Sequence, residues 1–279
     1  MLDKEPRAVI TGGGSGLGRA LALRLAERAA RLLIVDVNLD RAEETVSLVR
    51  ERGGRAEAMF CDVSRLEDVE ATARKIEELY GGVDLLVNNA GVAVAGHVGD
   101  LRIEDWDWIV RINLWGPIHG CHVFVPRMKA QQRGYILNVA SSAGIVSLPE
   151  MAPYNVTKAG VISLSETLDA ELAPHGIKVS VLCPTFFKTN LLETMRSTQD
   201  EQRALAELMF ERASMTAEQV ADAALRGLER GELIIIPQLD GNVVWRAKRL
   251  WPELFRKIVR NRSLLQLLST APKPKPSTT

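Results

Sequence analysis

The chain has 279 residues, with 35 Lys plus Arg against 35 Asp plus Glu, so its formal net charge is zero. That balance excludes a generally basic nucleic-acid binder, and any attraction to an anionic surface has to come from a local patch. At 46% hydrophobic and 25% charged residues the chain is ordinary globular protein, and its three cysteines, Cys61, Cys121 and Cys183, form no CxxC pair, which excludes a disulfide framework and points to a reducing, cytoplasmic compartment.

In chain order, residues 1–7 hold no apolar run of signal-peptide length, and no stretch reaches the roughly 20 apolar residues of a membrane span. From there, short β-branched apolar runs alternate with longer segments of helical period. Strands are expected at 8–11, 32–36, 56–61, 85–88, 135–139, 179–183 and 233–236. Helices are expected near 16–29, 39–52, 65–80, 104–129 and 153–173, with Asn38 capping the second and Ser64 the third. This is the pattern of βαβ units, and it predicts a Rossmann-type doubly wound α/β fold of about seven parallel strands with helices on both faces. Beyond 184 the pattern loosens into a loop and helical segments near 199–212 and 216–230, where the substrate side is expected. The division expected is one dinucleotide-binding catalytic domain over 1–240 and a C-terminal helical extension with a frayed tail over 241–279.

Thr11-Gly12-Gly13-Gly14-Ser15-Gly16-Leu17-Gly18 falls between the first strand and the first helix. Glycines there allow a tight turn and bring backbone close to a pyrophosphate, and the helix N-terminus supplies N–H donors and a positive dipole end. Asp36 ends the second strand, where a carboxylate accepts hydrogen bonds from ribose hydroxyls and repels a 2′-phosphate, so NAD is favoured over NADP. A turn or capping Asp is the alternative, and Arg19 and Arg41 keep NADP open.

Tyr154 and Lys158 are four residues apart on an expected helix and so share a face. A neighbouring ammonium stabilises a phenolate and lowers the pKa of the phenol, which makes the pair a candidate general acid/base; a plain surface pair is the alternative. Pro117 has no N–H for the carbonyl of Asn113, four residues back, so a helix through this segment kinks or leaves that carbonyl to a water.

Five elements in order then resemble the short-chain dehydrogenase/reductase family, in its classical subgroup, over roughly residues 6–240: Thr11-Gly12 with Gly16-Leu17-Gly18, Asn88-Asn89-Ala90-Gly91, Asn113, Ser141, and Tyr154 with Lys158. The resemblance implies an NAD(H)-dependent oxidoreductase that interconverts a secondary alcohol and a ketone by hydride transfer. In it Tyr154 transfers the proton, Ser141 rather than Ser142 polarises the substrate oxygen, Lys158 binds the nicotinamide ribose and tunes Tyr154, and Asn113 anchors a relay water. It further implies cofactor contacts at Gly12, Ser15, Gly16, Leu17, Gly18, Asp36, Asp62, Val63, Asn89, Gly91, Tyr154, Lys158, Phe187 and Thr189. Thr185 stands where the family commonly has glycine, which leaves the local backbone open. A homodimer or homotetramer through the helices at 104–129 and 153–173 is also implied.

Val92, Val94, Ile145, Val146, Leu148, Met151, Phe186, Leu191, Leu192 and Met195 favour a small hydrophobic alcohol or ketone as substrate. His119 and His122 are three apart, but no carboxylate or thiolate cluster joins them, so no metal is expected. Between 245 and 268 seven basic residues face one acidic residue among eleven large apolar ones, and Pro252 interrupts the stretch, which predicts two short helices. Subunit contact, a flap over the cleft and peripheral contact with an anionic membrane are the three readings of this stretch. Two alternatives to the main functional reading remain: an NADPH-dependent carbonyl reductase of the same fold, and a non-catalytic dinucleotide-binding or membrane-associated scaffold.

Overall fold

The computed structural model describes residues 4–261. The first half of the chain runs β1 (Arg7–Thr11), α1 (Gly16–Ala26), β2 (Arg31–Asp36), α2 (Leu39–Glu51), β3 (Arg55–Phe60), α3 (Leu66–Tyr80) and β4 (Leu85–Asn88). It continues through β5 (Val94–Ala95), α4 (Ile103–Val110), a π-helical turn (Arg111–Trp115), α5 (Gly116–Gln131), β6 (Gly134–Val139), α6 (Ala143–Val146), α7 (Ala152–Leu172) and β7 (Ile177–Leu182). Last come β8 (Arg196–Ser197), α8 (Asp200–Glu211), α9 (Ala217–Arg230), β9 (Ile234–Ile235), α10 (Leu239–Leu250) and α11 (Pro252–Arg260).

Seven strands form one parallel sheet in the order β3-β2-β1-β4-β6-β7-β9. Alternate residues of a strand serve opposite faces. Ala8 and Ile10 of β1 therefore pack with Leu21 and Leu25 of α1, Val46 of α2 and Leu228 of α9. Val9 faces the other way, with Ile76 of α3, Phe124 and Met128 of α5 and Leu168 of α7. Cover on both faces is why β1, β2 and β4 read as continuous apolar runs instead of alternating ones.

Local chemistry sets most of the element ends. Asn38 caps α2 by accepting from the Arg41 N–H at 3.0 Å. At α3 the expected cap is corrected: the N-cap is Arg65, and Ser64 instead donates its N–H to the Asp62 carboxylate at 2.9 Å. The carboxylate of Asp68 in turn accepts from the Asp62 N–H at 3.0 Å, so acidic side chains bind the loop before α3, while no side chain caps the helix itself. The helix expected at 104–129 is α4 and α5 joined through the π turn. Pro117 cannot donate to the carbonyl of Asn113, and the chain widens there, with the Gly116 N–H reaching Arg111 O five residues back. Pro252 opens α11 and splits the last helical stretch in two, as expected. Residues 262–268 of that stretch and the expected tail lie outside the described residues.

The short helix α6 and the strands β5 and β8 have no counterpart in the sequence pattern. Two-residue β5 and β8 pair in parallel, Val94 with Arg196 and Ala95 with Ser197, and tie the loop after β7 to the loop after β4. Arg196 fixes this pairing from the side, with its guanidinium 2.9 Å from Asp105 and 3.8 Å from the centre of the Trp108 ring.

Candidate active site

The sheet order reverses between β1 and β4, and in an open parallel sheet a crevice opens at the carboxyl ends of the strands flanking such a point. A cavity of about 880 Å³ lies there. One end is made of backbone. Gly12 and Gly16 have φ of +61° and +51°, which an L side chain resists. A Cβ on Gly18 would stand 2.3 Å from Gly12 O, so the helix meets the loop at a distance only glycine permits. Asn89 holds the same loop from β4: its Nδ2 donates to Thr11 O at 2.9 Å and Gly12 O at 3.0 Å. Thr11 Oγ1 accepts from the N–H groups of Asn89 and Ala90 at 2.9 and 3.1 Å.

Gly12, Ser15, Gly16 and Leu17 line this end. Gly18 lies behind them and packs helix on loop, at an approach only glycine allows. Asp62, Val63, Asn89 and Gly91 line the cavity from β3 and β4. Asp36 lines it too, although its carboxylate also accepts from the N–H groups of Gly14 and Asn38, each at 2.9 Å, so it is a site residue and a turn residue at once. Arg41, also on the wall, pairs across the opening with Glu193 at 2.8 Å. Arg19 is drawn away by Glu44 at 2.6 Å and Gly14 O at 2.6 Å. The glycine turn, the helix N-terminus and a carboxylate at the end of β2 fit a dinucleotide.

Deeper in, Ser141, Tyr154 and Lys158 converge on the same cavity. Tyr154 shares a hydrogen bond with Ser141, and burial pushes its phenol up to about 12 against that bond. The Lys158 Nζ donates to Val139 O at 2.8 Å and lies 5.6 Å from the centre of the Tyr154 ring. Burial pulls its pKa down to about 8. The expected lowering of the phenol by its neighbour is not seen: both groups are buried, and desolvation penalises each charged form. Asn113 is fully buried and does not line the cavity. Its side chain accepts from the Val92 N–H and donates to Val92 O, both at 2.8 Å, which fastens the π turn to the loop after β4. A Cβ on Gly91 would stand 3.3 Å from Asn113 Oδ1 and 3.5 Å from Lys158 Nζ, so the three meet at one point.

Behind α7 runs a buried chain of hydrogen bonds that sequence reasoning missed. Asn88 Nδ2 donates to Asn138 Oδ1 at 2.8 Å, Asn138 Nδ2 to Ser165 Oγ at 2.9 Å, and Ser165 Oγ to Val161 O at 2.7 Å. It anchors the helix that presents Tyr154 and Lys158 to the two central strands. The one signal available was a polar Asn138 inside the apolar run Tyr135-Ile136-Leu137-Asn138-Val139.

The other end of the cavity is apolar side chain. Val92, Val146, Leu148, Met151, Phe186, Leu191, Leu192 and Met195 line it, joined by Leu205 and Phe210 of α8. Val94 and Ile145 do not: Val94 is consumed by the β5–β8 pairing and Ile145 packs behind α6 against Val161 and Val181. Phe187 and Thr189 lie at the junction of the two ends. The Thr185 N–H is satisfied by Gln238 Oε1 at 3.0 Å, so the residue in place of glycine has its own partner. His97 stands outside the cavity, 3.5 Å from Glu150. His119 faces Val63 O at 2.9 Å. Among the described residues no group of three or more His, Cys, Asp or Glu side chains is placed to hold a metal.

Comparison with known proteins meets this geometry. The family model described as short chain dehydrogenase matches residues 6–200. SadH of Mycobacterium tuberculosis, named as an oxidoreductase, is 32% identical over 90% of this chain and 93% of its own. A short chain dehydrogenase/reductase from Burkholderia phymatum, solved in complex with NAD, superposes with a TM-score of 0.86 at 31% identity, covering 91% of this chain and 96% of that one. A short-chain dehydrogenase from Sphingobium yanoikuyae, solved with NADPH, reaches a TM-score of 0.75 at 27% identity over 98% of both chains.

Proposed function

The chain belongs to the short-chain dehydrogenase family and is an oxidoreductase, and from that premise we propose that it interconverts a hydrophobic secondary alcohol and its ketone with NAD(H). The observation that carries the reading is the convergence of Ser141, Tyr154 and Lys158 between a glycine cradle and an apolar pocket within one cavity.

Gly12, Ser15, Gly16 and Leu17 would hold the pyrophosphate, Asp36 the adenosine ribose, Asp62 and Val63 the adenine, and Phe187 and Thr189 the nicotinamide carboxamide. When bound, the dinucleotide supplies the carbon that gives or takes the hydride. Ser141 hydrogen-bonds the substrate oxygen and keeps it at the phenol. Tyr154 takes the hydroxyl proton during oxidation and returns it during reduction. Lys158, charged below about 8, donates to the ribose and stabilises the phenolate as it forms. Asn113 would anchor the relay water through its main-chain carbonyl, which Pro117 has no N–H to meet. The apolar end excludes bulk water and selects the substrate by buried surface.

Asp36 supports NAD, because its carboxylate lies against the glycine loop, 2.9 Å from Gly14 N, where a 2′-phosphate would be repelled. The second reading, NADPH-dependent reduction, is favoured by Arg41, a cation on the same wall. Kinetics with both cofactors separate the two. The main test is Tyr154→Phe, assayed by NADH absorbance on a panel of hydrophobic secondary alcohols. The expected result is a loss of kcat on the order of 10²–10⁴-fold with dinucleotide binding unchanged. Unchanged turnover of every alcohol that the wild type oxidises would refute the reading.

A further inference from the structure

Helices α10 and α11 close the described chain with an outward face unlike the rest of the surface. Along α10 the residues at helical spacing i, i+4, i+7 and i+11 are Leu239, Val243, Arg246 and Leu250. Leu239 is 85% exposed, and Val243, Leu250, Trp251 and Leu254 continue the exposed apolar line into α11. In α11 no residue is fully buried; Leu254 is exposed, while Phe255, Ile258 and Val259 are half-buried. At 100° per residue, Leu254, Phe255, Ile258 and Val259 fall on one side of that helix and Arg256, Lys257 and Arg260 on the other with Glu253. A soluble surface scatters single apolar residues. Here they are aligned and flanked by cations.

The charge identifies what this face fits. Between 245 and 261 six basic residues stand against one acidic residue, in a chain whose charges balance overall. A second copy of the face would bring like charges together, whereas an anionic lipid surface offers opposite charge to the cations and acyl chains to the apolar side. No helix among the described residues is long and apolar enough to cross a membrane. We propose that α10 and α11 form a docking surface that lies in the interface of an anionic bilayer.

The fold also says where docking would place the cavity. The Lys248 ammonium donates to Ile145 O of α6, and α6 contributes Val146 to the cavity wall. Asn242 Nδ2 donates to Ile236 O at 2.8 Å, and Gly241 packs so close to Thr185 that a Cβ would stand 2.9 Å from its Cγ2. The docking helices are thus fixed to the apolar end of the cavity, so a membrane-dissolved alcohol or ketone would be taken up beside the surface that holds it. That last step rests on the proposed function; the docking itself does not.

The test is sedimentation of the full chain with vesicles of phosphatidylglycerol and phosphatidylcholine, and with phosphatidylcholine alone, at low and near-physiological salt. Binding is expected to the anionic vesicles only, and to weaken with salt. The triple variant Arg256→Gln, Lys257→Gln, Arg260→Gln should lower the partition coefficient about a hundredfold, at roughly fivefold per cation near the surface. Leu250→Asp with Leu254→Asp should abolish binding through the apolar side. NADH fluorescence on the same samples shows that each variant is folded. A folded wild type that sediments with neither vesicle overturns the proposal. So does binding that ignores lipid charge, or a change from dimer to monomer in the Leu254→Asp variant without any vesicle binding, which would assign the face to a second copy. Vesicle binding without turnover of any alcohol would instead leave docking in place and sink the proposed function.

Discussion

The two ends of the cavity are built on different principles. At the glycine end the walls are backbone, held to each other by hydrogen bonds from Asn89 and Thr11 and packed to a separation that excludes even a methyl group at Gly18. At the other end the walls are side chains of Leu191, Leu192, Met195 and Leu205, delivered by loops and α8 and tied down by the two-residue β5–β8 pairing and Arg196. A backbone surface is fixed by the strands and helices that carry it, so it suits a ligand that never changes. A side-chain surface can be rewritten at little cost to the fold, so it suits a ligand that defines the individual enzyme.

The sharpest way to break this contrast is Gly18→Ala. One added carbon 2.3 Å from Gly12 O must move backbone, and the expected cost is on the order of 3 kcal/mol. That corresponds to a fall in Tm of about 5 °C, read by thermal unfolding, together with lost NADH binding. Wild-type Tm and affinity would show that the glycine end is softer than its geometry. Next, Ser141→Ala should reduce kcat about a hundredfold with little change in NADH binding, because its hydroxyl would hold the substrate oxygen at the Tyr154 phenol. Ser142→Ala should stay near wild type. The reverse ranking would move the polarising group to Ser142.

The pH dependence of the junction follows from burial. Lys158 has a pKa of about 8 in the fold, below its ordinary 10.5. As pH rises through about 8 the folded chain gives up the charge that would grip the ribose, so NAD affinity should fall, by at most about tenfold per pH unit. Lys158→Arg should flatten that limb. The same group should make stability rise between about 8 and 10.5, because there the unfolded chain holds a proton that the folded chain has released. Above 10, Tyr154, raised to about 12, works in the opposite direction: the unfolded phenol ionises first and stability falls. Denaturant titrations across this range separate the two slopes.

The smallest expected effect sharpens the boundary between the ends. Glu193 holds Arg41 across the cavity opening through an exposed ion pair. Glu193→Gln should release Arg41 toward the ribose and lower the KM for NADP about threefold to fivefold, with NAD little changed. No shift in the NADP to NAD ratio would mean that Asp36 alone sets the preference.

Much of this could be read from the chain itself. Each expected strand of the central sheet is present; the inner ones are continuous apolar runs, and Leu32-Leu33-Ile34-Val35 needs no neighbour to declare itself, while edge strand β3, Arg55–Phe60, is partly exposed and mixed in composition. The cap at Asn38 and the break at Pro252 follow from chemistry within a few residues. The glycine loop and the pairing of Tyr154 with Lys158 on one helix face were legible for the same reason. Ser64 failed as a cap because the helix begins one residue later, after Arg65, and Ser64 lies in the loop that Asp62 and Asp68 bind.

What remained belongs to distance along the chain. The Asn88–Asn138–Ser165 bonds join residues far apart in sequence, and no local pattern announces them. The β5–β8 pairing is two residues long, too short for any period to show. The shifts at Tyr154 and Lys158 run against the simple expectation for a neighbouring phenol and ammonium, because desolvation depends on everything packed around a group. Sequence by itself determined the elements and the reactive residue types, since propensity, turn chemistry and hydrophobic period act over a few residues. The tertiary structure alone decided which of those residues share a cavity and what burial does to their charge, since both are set by contacts that close only when the sheet is assembled.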